Sequence, residues 1–212
     1  MKGKIFNAQE VQAIIAGNKT MFREVVKPKL DDRANCGLGI HDNGQLLWDA
    51  RDDCGYYKNY DEIKCPYQVG QKIFVKESFL QKLGSTQLPS GEHETFFTGS
   101  NVEYVADGAQ ERWDNPDVFY PNWWKKRPAQ HMKQEHSRLT LEITSIKVER
   151  LQDINYEDAI KEGVWNIQEK GSPRSWDVIN AFRKSWNATH KKPEKKFEAN
   201  PFVWVVDFKI NK

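Results

Sequence analysis

The stretch SRLTLEITSIKVERL, residues 137–151, decides the fold class. Leu139, Leu141 and Ile143 alternate with polar neighbours, the period of two that turns one face of a strand to a core. Ile146 and Val148 resume the alternation after a slip of one residue, which predicts a bulge near Thr144–Ser145. Downstream, NPFVWVVDFKI (200–210) is apolar on both faces and reads as a central strand. Upstream, GQKIFVKESFL (70–80) opens a strand at Gly70, with Ile73 and Val75 opposed to Lys76 and Ser78.

Helices flank these strands. In NAQEVQAIIAG (7–17), Asn7 is placed to cap, Glu10 sits at the reciprocal capping-box position, and Phe6 with Val11 forms a staple. Val11, Ile14 and Ile15 supply the apolar face, and Gly17 ends the helix. GNKTMFR (17–23) follows, and MFREVVKPK reads as a short strand closed by Lys27–Pro28. NYEDAIKEGV (155–164) is a second capped helix, ending at Gly163. SPRSWDVINAFRKSWNATH (172–190) is a third, with Trp176, Ile179, Phe182 and Trp186 at helical spacing. KKPEKK (191–196) reads as a solvated basic loop.

Residues 30–69 read as irregular, with LLWDARD in a small hairpin after the DNG turn at 42–44. Residues 81–136 read as a long polar insertion in which FFTGSNVEYVAD makes a hairpin. The order is helix, strands, two helices, strand. That order points to an α+β fold, a small β-barrel with peripheral helices, rather than regular β–α alternation. One domain is expected over residues 1–212, with insertions at about 30–65 and 81–136.

With 32 Lys and Arg against 30 Asp and Glu, the net charge of +2 excludes a polycation that coats nucleic acid everywhere; any anion site needs local clustering. One cluster stands out. WWKKRPAQHMKQEHSR gathers Lys125, Lys126, Arg127, His131, Lys133, His136 and Arg138 beside Trp123 and Trp124. Cations hold phosphates and aromatics stack on unpaired bases, though tryptophans are more often buried for packing. Tyr56, Tyr57, Tyr60 and Tyr67 suit base stacking or loop packing equally.

Cys36, His41, Cys54 and Cys65 form a weak alternative zinc set, because no C-x2-C knuckle is present. Free thiols are the favoured reading, so no cofactor is expected. An odd three cysteines, no apolar run of membrane length and no signal-peptide core lead to the expectation of a cytoplasmic protein without membrane contact.

Several segments together resemble the ASCH domains of the PUA-like superfamily. GNKTMFR resembles their G-basic-K-T-x-T-R signature, and KCPYQVGQKIFVKESF resembles the CPYG-x-x-GD-x-x-WVRE segment of longer phage and prophage members. HMKQEHSRLTLEITSIKVERLQDINYEDAIKEGV resembles the strand and helix that follow, and NPFVWVVDFK the closing strand. The resemblance implies a PUA-like barrel, a cleft beside the N-terminal helix, and nucleic-acid binding. Some members of that family are hydrolases of N4-acylated cytidine, and another is a ribonuclease. Carried over residue by residue, the deacylase lysine falls on Lys19 and its glutamate on Glu162, while Phe22 occupies the position of the threonine nucleophile.

The function expected is binding of RNA or single-stranded nucleic acid. Lys19, Thr20, Arg23, Lys76 and the cations Lys125, Lys126, Arg127, His131, Lys133 and Arg138 would hold the backbone, with a base near Glu77 and Glu162. The alternatives are a hydrolase of a modified nucleoside or RNA, with Lys19 and Glu162 activating water, and a phage protein that regulates a host factor. The bland alternative for Arg23, Glu77 and Glu162 is structural ion pairing.

Overall fold

A computed structural model describes residues 1–26, 36–40, 46–51, 57–87, 89–114, 122–165 and 173–211. The chain divides into two compact units, one of Met1–Gly17, Lys72–Glu142 and Ile210–Lys212, the other of Asn18–Gln71 and Ile143–Lys209.

In the first unit, β1 (Lys2–Ile5) runs parallel to β6 (Lys72–Lys76), which pairs antiparallel with the start of β11 (Thr140–Arg150). Lys4 stands opposite Val75, and Leu141 opposite Ile73; Ile73, Val75 and Leu141 are buried, as the alternation predicts, and Phe74 is buried too. Helix α1 (Ala8–Ile15) carries the full capping box: Asn7 Oδ1 accepts from the Glu10 amide at 2.9 Å, and the Asn7 amide donates to Glu10 Oε2 at 2.9 Å. Val11 and Ile14 are buried, while Ile15 turns outward. Gly17 closes the helix at φ +76°, a value that suits glycine.

The same unit holds a second sheet where a polar insertion is expected from sequence. Its strands are β7 (Phe79–Gln87), β8 (His93–Tyr104), β9 (Arg112–Asp114) and β10 (Asn122–Arg127), in the order β8-β7-β10-β9. FFTGSNVEYVAD is therefore one arm of a hairpin with β7, followed by a 3-10 turn, and not a hairpin in itself. The run 70–80 likewise breaks at Glu77–Ser78 into two strands. Phe79 and Leu80 are fully buried, which gives these strands a hydrophobic anchor that the polar composition of 81–136 hides.

In the second unit, the remainder of β11 neighbours β12 (Phe202–Asn211), which pairs antiparallel with β2 (Met21–Val25). The central position of β12 explains its two apolar faces, with Val203, Val205 and Val206 all fully buried. Burial along β11 changes phase after Ile143, where Thr144 and Ser145 are both exposed, at the place the slip in alternation marks. The region 30–69, irregular by its composition, supplies a further antiparallel sheet of β3 (Cys36–Ile40), β4 (Leu46–Arg51) and β5 (Tyr57–Glu62), with LLWDAR as its middle strand.

Among the described residues, two α-helices belong to the second unit. Helix α2 (Tyr156–Lys161) is capped by Asn155, whose Oδ1 accepts from the Asp158 amide at 2.8 Å, and ends before Gly163 at φ +73°. Helix α3 (Ser175–Thr189) buries Val178, Phe182 and Trp186, spaced four apart. Trp176 is 72% exposed, against expectation: two residues from Val178 place it about 200° around the helix. The core joins Met21, Leu151, Ile154, Ala159, Val203 and Val205 to the α3 stripe. The architecture is mixed α+β, and no pairing among the described residues closes a sheet on itself. No helix among the described residues is long and apolar enough to cross a membrane.

Candidate functional site

Lys19 and Glu162 lie against each other. They form an isolated antiparallel bridge. Lys19 Nζ donates to Glu162 Oε2 at 2.9 Å and to the Glu162 carbonyl at 2.9 Å. The local cause is plain. The Gly17 turn releases the chain into the GNKTMFR segment, and Gly163 ends α2 with Glu162 at its C-cap. The next residue, Thr20, is exposed; its amide donates to the Lys161 carbonyl, and its carbonyl accepts from the Phe208 amide. Alternation in an extended segment thus places the ammonium of Lys19 and the hydroxyl of Thr20 on opposite sides.

Arg23 is the hub of the site. Its Nη1 donates to Glu162 Oε1 at 3.0 Å, and its Nη2 to Glu149 Oε1 at 2.7 Å and Asp158 Oδ2 at 3.1 Å. Lys147 closes the network, with Nζ 3.0 Å from Glu149 Oε2 and 3.1 Å from Asp158 Oδ2. Lys19, Arg23 and Lys147 thereby balance Glu149, Asp158 and Glu162. The Arg23 side chain has no exposed surface, whereas Lys147 is 46% exposed and forms the wet end of the network. Burial alone would lower the Arg23 pKa, but Glu162 and Glu149 outweigh it and hold it above its ordinary value. Burial likewise pushes the Asp158 carboxyl up, and Lys147 and Arg23 overcome that and hold it below the usual carboxylate range.

Lys147, Glu149 and Asp158 are members of the site that the sequence does not single out. Two signals exist: Asp158 and Glu162 are four apart on a helix, and Lys147 and Glu149 are two apart on a strand, so each pair shares a face. Such signals do not say which cation they surround.

Phe22 is buried. Its ring meets Tyr67 edge-on at 5.3 Å and lies 6.0 Å from Phe208. Tyr67 donates to Glu24 Oε2 at 2.7 Å, and burial together with that carboxylate raises its hydroxyl well above the ordinary value. The position is aromatic core.

Glu77 belongs to a separate network in the first unit. Arg138 grips it with two hydrogen bonds, Nε to Oε1 at 2.9 Å and Nη2 to Oε2 at 3.1 Å, and extends Nη1 to Asp107 Oδ2 at 2.6 Å. The guanidinium lies over the Tyr104 ring at 4.0 Å. Burial would lower the Arg138 pKa, but Glu77 and Asp107 together hold it above its ordinary value. Lys76 Nζ donates to the Gln130 carbonyl at 2.7 Å.

The basic cluster also falls in the first unit. Lys125, Lys126, His131 and Lys133 are exposed, Arg127 is half-buried, and Trp123 is half-buried on the same strand. Trp124 is buried beneath Arg112, whose guanidinium sits 5.0 Å from its ring, so this indole is packing. The cations are set on a firm frame, because β10 is paired on both edges, with β7 and with β9. Lys125 and Lys126 have no ion-pair partner among the described residues, and Lys133 lies 3.6 Å from Glu135 at the surface.

Of the weak zinc set, Cys65 is half-buried and in no disulfide, and His41 and Cys54 lie outside the described residues. Among the described residues no group of three metal-ligating side chains comes together. Comparison with protein-family models, curated proteins and solved structures finds no match for this chain.

Proposed function

We propose that this chain is an ASCH-like protein, built on a PUA-like plan, that binds single-stranded nucleic acid and RNA foremost. The observation that carries the reading is the exposed cationic surface of β10 and the turns after it. Residues 125–138 hold five Lys and Arg against one Glu, a formal +4 in a chain of net +2, of which Arg138 is taken up by Glu77 and Asp107 while Lys125 and Lys126 stay exposed. Exposed ammonium groups on a strand paired at both edges suit a phosphate backbone, and the half-buried Trp123 shares the strand face of Lys125. Lys19, Arg23 and Glu162 take a different part in this reading. They are buried and paired with one another, so they brace the segment after Gly17 instead of reaching a polymer backbone. Hydrolysis is the less favoured reading, because Phe22 is core and the hydroxyl of Thr20 points away from the Lys19–Glu162 pair.

The test is fluorescence anisotropy with an oligouridylate of about 20 nucleotides over a range of salt. Binding is expected to weaken with salt, and Lys125→Ala with Lys126→Ala to lower affinity by about tenfold and flatten the log–log salt slope by about 1.4. Unchanged affinity and slope in that double variant would overturn the β10 surface.

A further inference from the structure

The second unit carries its own cationic segment, unused by the site above. Residues 183–198 contain Arg183, Lys184, Lys191, Lys192, Lys195 and Lys196 against Glu194 and Glu198, a formal +4. Together with the +4 of residues 125–138 this makes +8, so the rest of the chain carries −6. Such segregation of charge is unlike a surface on which both signs mix for solubility.

The segment is also bolted down. The Trp186 indole donates to the Lys195 carbonyl at 2.7 Å, and the Phe197 amide donates to Asn187 Oδ1 at 2.9 Å. Gln152, just after β11, donates through Nε2 to the Phe197 carbonyl at 2.9 Å and through its amide to Asn200 Oδ1 at 2.8 Å. Both turns of the segment, Pro193–Lys195 and Phe197–Ala199, are 3-10 helical. Glu198 is paired at the surface with Arg183 at 2.7 Å and with Asn187, which takes it up as a counter-charge to Arg183. Lys184, Lys191, Lys192 and Lys196 are exposed and have no ion-pair partner among the described residues. The C-terminal carbonyls of α3 favour nearby cations and account for one or two lysines. They do not account for a braced loop that holds three unpaired ammonium groups, those of Lys191, Lys192 and Lys196, outward beside Lys184 of α3. A segment that needed only to be soluble could stay loose, and ordering it costs conformational entropy.

We infer that residues 184–196 form a second nucleic-acid contact, which takes the phosphate backbone of a single strand through Lys184, Lys191, Lys192 and Lys196. The inference rests on the proposed nucleic-acid function but on a different surface, so the two can fail separately. Selectivity for sequence is not expected here, because ammonium groups address phosphates and not base edges.

The experiment uses the full chain and the same oligouridylate. A variant with all four lysines changed to Gln is expected to fold normally by circular dichroism, since the sites are exposed. Its affinity at about 0.1 M salt should drop by about tenfold or more, and its salt slope should fall by about 0.7 for each phosphate no longer neutralised. Glu194→Gln, which removes an exposed acid from the segment, should tighten binding. If the wild type binds and Lys125→Ala/Lys126→Ala weakens it, while the quadruple variant and Glu194→Gln change nothing, this inference is wrong and the β10 surface stands. Weaker binding in both the double and the quadruple variant supports both surfaces. Loss in the quadruple variant alone supports the inference and removes the β10 surface. No binding by the wild type overturns both.

Discussion

Arg23 offers one guanidinium to three carboxylates from two elements, Glu149 on β11 and Asp158 and Glu162 at α2. A buried network of this kind is costly to break because each stranded charge has already lost its water. Arg23→Met is expected to destabilise the protein by about 3–5 kcal/mol in urea denaturation, and adding Glu162→Gln should recover part of the loss. A cost below about 1 kcal/mol would mean that water reaches the carboxylates and the network is not a brace. The residue types in GNKTMFR mark this segment as unusual. They do not show that Arg23 faces inward, because a lone arginine in a strand has either face open to it until the partner strand sets the register. The pairing of Arg23 with Val205 on β12, an entirely apolar neighbour, makes that choice.

The elements differ in how much of them is local. Both capped helices are legible in the sequence because a cap is an interaction between residues three apart. Asn7→Ala, which removes the hydrogen bond to the Glu10 amide, should cost about 1 kcal/mol in thermal or urea denaturation, while Glu10→Gln should cost less since an amide still accepts at that position. The β7–β10 sheet is not legible. Its strands are polar, short of regular alternation, and paired across long separations; Trp123 meets Leu83, forty residues back in the chain. Only the burial of Phe79, Leu80 and Trp124 reveals why they assemble. In α3 the spacing is right and the face is wrong at Trp176, because two aromatic stripes fit one helical period and packing selects between them.

Charge sets the behaviour of the whole molecule with pH. Asp158 has a folded pKa below its ordinary value, so its contribution is present above the ordinary carboxylate range and is lost as pH falls through the folded value. Lys147 is held above its ordinary value: burial opposes this, but Glu149 and Asp158 prevail. Its contribution is present below the ordinary lysine range and is lost only as pH rises through the folded value. Stability should therefore be level across neutral pH and fall below about pH 4. Asp158→Asn should flatten the acid limb of a plot of unfolding free energy against pH; an unchanged limb would assign acid lability to other carboxylates.

What the sequence by itself determined is whatever depends on neighbours within a few residues: the caps and ends of α1 and α2, the strand character of β11, and the central character of β12 with its two apolar faces. It also set the clusters of positive charge, since their composition needs no fold to be read. The tertiary structure alone decided that Lys19 and Arg23 turn inward to a buried, balanced network while Lys125 and Lys126 turn outward. The physical reason is desolvation. A cation is tolerated inside only where distant parts of the chain bring carboxylates to it, and no local pattern records that meeting.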